Sequence, residues 1–163
     1  MIVTYYLEMT SPDALRGKSL DVAGFHVSEG RVKQAAVNRF LYEFVGAHWQ
    51  WFDKNDWTLD QWRAYAEADN LRTWLATYQG SIAGYYELQA QPGEQIEILY
   101  FGLAPAFIGK GLGGPLLTHA VQSAWAWHNP QRVWVHTCSL DHPSALNNYL
   151  ARGFTLYKQE PSE

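Results

Sequence analysis

The chain has 163 residues, 47% of them hydrophobic and 15% aromatic, which is one domain in size and rich enough in apolar residues to exclude wholesale disorder. Charged residues are only 17%, and 12 Lys and Arg against 16 Asp and Glu give a net charge of −4, so no basic field is available to track a nucleic-acid backbone. The single cysteine, Cys138, cannot form an internal disulfide, the start lacks a basic n-region, and no apolar run approaches the roughly 20 residues that span a bilayer; a cytoplasmic protein is expected.

Residues 2–8 are β-branched and aromatic and read as a strand. The breaker-rich stretch 9–28 reads as a long loop. Over 29–48, Val32, Ala36, Phe40 and Phe44, with Val37, Leu41 and Val45, fall at helical spacing, so an amphipathic helix with Ser28 as N-cap is predicted. A second helix is expected from Thr58 or Asp60 to Asp69-Asn70. Thr73–Tyr78 and Ile82–Gln89 read as strands joined at Gln79-Gly80, and 95–103 as a third. A glycine-rich loop at 109–114 then opens a helix at 115–128, with Leu117, Ala120, Val121, Ala124 and His128 on one face. Pro115 suits its first turn. Arg132–Thr137 is a strand, Pro143–Arg152 a short helix closed by Gly153, and Phe154–Lys158 a last strand. The order predicts an α/β protein with a mixed sheet flanked by helices.

The chemistry-bearing segment is 101–117, FGLAPAFIGKGLGGPLL. Glycines let a ligand approach the backbone closely, and the helix they open offers free N–H groups at its positive end, a setting for phosphate or pyrophosphate. A P-loop is excluded, because Gly102 stands too far before Gly109-Lys110 and Gly111 follows the lysine. Gly109, Gly111 and Gly114 match a dinucleotide fingerprint literally. The next strand, however, carries no acidic residue, and only 49 residues follow Gly114.

Residues 95–154 resemble the GCN5-related N-acetyltransferase superfamily. Ile108-Gly109-Lys110-Gly111-Leu112-Gly113 occupies that family's [Gln/Arg]-x-x-Gly-x-[Gly/Ala] loop. The stretch from His142 through Ala145 and Tyr149 to Gly153-Phe154 follows its Asn-x-x-Ala-x-x-x-Tyr-x-x-x-Gly-Phe pattern. Ile108 stands for the usual Gln or Arg, and His142 for the usual Asn. The resemblance implies a mostly antiparallel mixed sheet and acetyl-CoA as co-substrate, with no metal. It implies coenzyme binding by Leu103, Ile108, Gly109, Lys110, Gly111, Leu112, Gly113, Gly114 and His142. It divides one acetyltransferase domain, 1–163, into an acceptor side (1–70) and an acetyl-CoA side (71–163).

Acetyl transfer to an amine needs a proton acceptor, a polarised carbonyl and a proton for the departing thiolate. By resemblance Glu97 is the general base, with Glu87 in reserve, and Tyr149 faces the coenzyme sulfur. Period-2 counting puts Glu97, Leu99, Phe101 and Leu103 on one strand face. His136, Cys138, Asp141 and His142 cluster in sequence but match no tetrahedral zinc spacing. Residues 49–62 hold four of the eight tryptophans in an acidic context, which suits a cationic amine or plain helix packing equally. Phe52, Trp57, Tyr85 and Tyr86 are the expected acceptor wall. The resemblance thus implies an N-acetyltransferase acting on a small amine. Acetylation of a protein N-terminus or lysine, and a non-catalytic acyl-CoA-binding module, stay open. A small-molecule amine and at most a second copy of the chain are the expected partners; nucleic acid and membrane are not.

Overall fold

The computed structural model describes residues 1–49 and 51–162. A seven-stranded sheet forms the frame: β1 (Ile2–Met9), β2 (Phe25–Glu29), β3 (Leu71–Tyr78), β4 (Ser81–Gln91), β5 (Gln95–Leu103), β6 (Arg132–Cys138) and β7 (Thr155–Ser162). Helices α1 (Ala35–Gly46) and α2 (Leu59–Ala66) cover one face, and α3 (Gly113–Ala126) and α4 (Ala145–Ala151) the other. The strand order is β2-β3-β4-β5-β6-β1-β7, with β5–β6 the one parallel pair. The fold is therefore the mixed, mostly antiparallel α/β sheet expected.

Two readings of the first third are corrected. Phe25–Glu29 is a strand, not loop, and Ser28 pairs with Leu75 rather than capping a helix. The segment alternates inward and outward beside β3, a pattern only five residues long and hidden among breakers. Helix α1 then begins at Ala35, and its buried stripe is Ala35, Asn38, Leu41, Tyr42 and Val45. Val37, Phe40 and Phe44 are exposed instead, the two phenylalanines stacked at 5.2 Å. In α3, Leu117, Ala120, Val121 and Ala124 are buried as predicted. The helix ends at Ala126, and His128 lies beyond it with φ near 60°. Thr58 closes a capping box with Gln61 at the start of α2.

The larger core lies between the sheet and α3–α4, built on Leu7, Met9, Ile96, Ile98, Leu116, Leu117, Val133 and Val135. On the opposite face, α1 and α2 bury Tyr42, Trp62, Leu71, Leu41, Val45 and Tyr85. The Gln79-Gly80 turn carries φ of 50° and 85°, which glycine accepts readily at its second position.

Candidate active site

The parallel pairing of β5 and β6 stops at Ile98↔Val135, although β5 continues to Leu103 and β6 to Cys138. The strands part there because a bulge interrupts β4–β5: Glu87 pairs with Tyr100 and Leu88 with Ile98, leaving Leu99 extra. A bulge bends its strand and re-aims the side chains beyond it. Simple alternation consequently fails across this point. Glu97, Leu99 and Tyr100 face α1–α2, while Phe101 and Leu103 turn to the α3–α4 core, not to the face of Glu97.

A cleft of about 550 Å³ opens where the strands part. Phe101, Gly102 and Leu103 supply one wall, and Ile108, Gly109 and Gly111–Gly114 supply the loop and first turn of α3. Asp141, His142, Ser144, Ala145, Asn147, Asn148 and Tyr149 supply the α4 side, and Trp49 and Trp51 the rim from the α1–α2 connection. That size is in the range of small-molecule and cofactor sites. Gly109 and Gly111 take φ of 81° and 78°, the left-handed region that favours glycine. The α3 N-cap, Leu112, makes no side-chain cap, so the first backbone N–H groups of the helix have no side-chain acceptor at that position. Lys110 is exposed and does not line the cleft.

Tyr149 is buried in this wall, edge-on to Phe154 at 5.9 Å and tilted against Phe101 at 6.1 Å. Burial, with the nearby Asp141 carboxylate, pushes its phenol well above the usual range, so it is protonated at neutral pH. Burial also raises Asp141, against the opposing hydrogen bonds it accepts from the His142 N–H and the Thr137 hydroxyl. The His142 ring meets Trp49 edge-on at 4.9 Å, and its Nδ1 accepts from Ser144 N–H.

Glu97 is buried beside the cleft rather than in its lining. Its Oε1 accepts from Gln91 Nε2 at 2.7 Å, and its Oε2 stands 3.0 Å from His136 Nδ1. His136 is the first β6 residue past the last β5–β6 pair. Its ring lies 5.9 Å from those of both Tyr6 and Trp134, and its side chain stays 46% exposed. The Glu97 carboxylate holds the imidazole pKa above its ordinary 6.5, against the opposing effect of burial. Sequence reading missed this pair. Its signal lay in the register, which sets Glu97 opposite Trp134 and brings His136 diagonally within reach.

Glu87 is fully buried, accepting from the Tyr65 hydroxyl and, at 2.8 Å, from Asn38 Nδ2. Burial raises its carboxyl, and those hydrogen bonds oppose the rise. It does not line the cleft.

The expected acceptor wall does not assemble. Tyr85 and Tyr86 are neighbours on one strand and so point to opposite faces. Tyr86 stacks on Trp74 and bonds to Ser123 and His119 of α3, away from the α1–α2 side, while Tyr85 is buried under Trp51. Phe52 is 60% exposed. Trp57 instead joins Tyr65 and Tyr100 around the Lys54 ammonium, 4.5–4.7 Å from their ring centres. Lys54 donates to the Tyr100 hydroxyl at 2.8 Å, and that hydroxyl donates to Asp53. Burial works to raise Asp53, but the Tyr100 hydrogen bond and the Lys54 charge hold it below the usual carboxylate range. The tryptophans that reach the cleft are Trp49 and Trp51. Trp51 fits because Gly46 lacks a side chain; a Cβ there would come within 2.3 Å of its ring. Gln50 of this segment lies outside the described residues.

The family model described as "Acetyltransferase (GNAT) family" matches residues 37–154. The chain belongs to the GNAT acetyltransferase family. Solved structures share its fold. One is a GCN5-related N-acetyltransferase from Kribbella flavida, at TM-score 0.68 and 16% identity over 96% of this chain and 56% of that one. Another is a tandem GNAT protein from the clavulanic acid biosynthesis pathway, at TM-score 0.65 and 14% identity over 99% of this chain and 55% of that one. A third is spermidine N-acetyltransferase from Vibrio cholerae in complex with CoA and spermine, at TM-score 0.64 and 17% identity over 82% of each chain. The chain spans 49–60% of the first four structures it resembles. No curated protein matches it. Among the described residues, no helix is long and apolar enough to cross a membrane.

Proposed function

We propose that the chain transfers an acetyl group from acetyl-CoA to a primary amine by direct attack on the thioester. One observation carries this reading: the strands part onto a cleft that joins a glycine-built helix N-terminus to a protonated, buried Tyr149. The pyrophosphate lies on the backbone of 109–114, where N–H groups and the α3 dipole favour an anion. The pantetheine arm runs past Leu103, Asn148 and His142 into the gap beyond Ile98.

The acceptor arrives as an ammonium, since alkyl amines resemble lysine with a pKa near 10.4. Glu97 orients His136 through Nδ1, and its Nε2 takes the amine proton, directly or through one water. The amine nitrogen then bonds to the carbonyl carbon, gives its second excess proton to solvent, and the tetrahedral centre collapses to the amide with cleavage of the C–S bond. Tyr149 gives its phenolic proton to the thiolate and regains one from solvent. A spermidine N-acetyltransferase among the structural neighbours supports a small cationic acceptor.

Calorimetric titration with acetyl-CoA tests the donor site. A Cβ at Gly113 would sit 3.5 Å from Asn148 Nδ2, ordinary contact, so the Gly113→Val backbone fits the unliganded fold. Its branched side chain should nevertheless exclude the pyrophosphate and abolish binding, whereas Ile108→Ala should bind normally. Unchanged affinity in Gly113→Val would remove the loop from the donor site.

A further inference from the structure

Arg152 closes α4 in an unusual setting. It is 8% exposed, and its Nε and Nη1 are buried without a hydrogen-bond partner among the described residues. The guanidinium is aimed at the first turn of α3: Nη1 lies 2.9 Å from where a Gly114 Cβ would be. The Lys18 side chain reaches the same point, its Cγ and Cδ at 3.1 and 3.3 Å. Neither cation forms an ion pair among the described residues.

The convergence is built in rather than incidental. Arg16 N–H donates to the Arg152 carbonyl at 2.8 Å, and Lys18 N–H to Thr118 Oγ1 at 2.9 Å, which fastens segment 16–18 across α3 and α4. Two positive side chains and the positive end of a 14-residue helix thus meet with no acid among them. Burying an unpaired cation is costly, and a helix N-terminus adds to the cost. An anion held there removes both penalties and completes the guanidinium's hydrogen bonds.

We propose that Arg152 and Lys18 form a site for a phosphate monoester, and that the phosphate is the ribose 3′-phosphate of the acyl donor. Gly114 belongs both to the cleft lining and to this cationic contact, so the site adjoins the glycine loop. The assignment to the donor rests on the acyl-CoA reading; the anion site itself does not. A planar guanidinium beside a mobile ammonium suits a dianion with several acceptor oxygens.

Titration of the full chain with CoA and 3′-dephospho-CoA tests the site. The wild type should bind CoA on the order of 10- to 100-fold more tightly, the span of one or two charge-assisted hydrogen bonds. Arg152→Met should erase that preference and leave the affinity for 3′-dephospho-CoA unchanged. Lys18→Met, at an exposed position, should reduce the preference without disturbing the fold, and serves if Arg152→Met does not fold. Without ligand, Arg152→Met should melt higher than wild type, because an unpaired buried charge is gone. Equal wild-type affinity for the two nucleotides overturns the proposal. Parallel loss of both in Arg152→Met also overturns it, since Arg152 would then be supporting the fold. Failure of both nucleotides to bind wild type would sink the acyl-CoA reading instead. Inorganic phosphate then decides the anion site: thermal protection that disappears in Arg152→Met upholds it, and no protection overturns it.

Discussion

A carboxylate 3.0 Å from an imidazole makes the imidazole the stronger base, and that pair governs the residue-scale expectations. Glu97→Gln keeps the shape and removes the charge, so kcat should fall on the order of 10²- to 10⁴-fold with acetyl-CoA affinity retained. The pH dependence has a definite sign. His136 acts when neutral, so kcat/KM should rise with pH through a midpoint above 6.5, and Glu97→Gln should move that midpoint down. The same raised pKa means that the ion pair stabilises the fold below the ordinary imidazole pKa and is lost as pH rises through the folded value. Wild-type melting temperature should therefore decline, relative to Glu97→Gln, over the interval in which activity appears. Tyr149→Phe keeps the ring and removes the proton; kcat should fall while melting temperature and acetyl-CoA affinity hold. A loss of stability with normal turnover would make Tyr149 a packing residue. Glu97 and Tyr149 were visible as candidates through the family resemblance, whereas His136 stood out only in a cluster without zinc spacing and not as the partner of Glu97. Its partnership exists only through a parallel register that no local spacing encodes.

At the scale of elements, the glycine loop, α3 and the 95–103 strand were legible, because strong local signals agreed there. The bulge at Leu99 was not, since one extra residue leaves no mark in a run of apolar side chains, yet it inverts the facing of everything after it. The acceptor side was misread for a related reason. Aromatic residues in 49–62 are interchangeable in composition, and one small position, Gly46, leaves the room in which Trp51 enters the cleft. A Cβ on Gly102 would lie 2.6 Å from Val45 Cγ1 and 3.5 Å from the Trp51 ring. Gly102→Ala should thus cost about 1–3 kcal/mol by overpacking, read from chemical denaturation. Denaturation unchanged by this substitution would show that Val45 is not packed against Gly102 as described.

Across the whole molecule, β1 lies between β6 and β7 and pairs antiparallel with both, so the first strand joins the last one to the rest of the sheet. Leu7 at its centre is fully buried in the larger core, and Leu7→Ala should cost about 2–5 kcal/mol. If β1 were a dispensable edge, the loss would be far smaller. Tyr149 lines the cleft from α4, and the Glu97–His136 pair stands on β5 and β6 where their pairing ends. The proposed reaction requires both to act on one thioester and one amine. The direct measurement is thiol release from acetyl-CoA by the full chain across a panel of small primary amines, with the N-acetyl product identified by mass. The expected result is thiol release dependent on amine, equal in amount to the acetylated amine, and strongly reduced in both Glu97→Gln and Tyr149→Phe. Tight binding of acetyl-CoA with no thiol released by any amine would contradict the account and leave the chain an acyl-CoA-binding module.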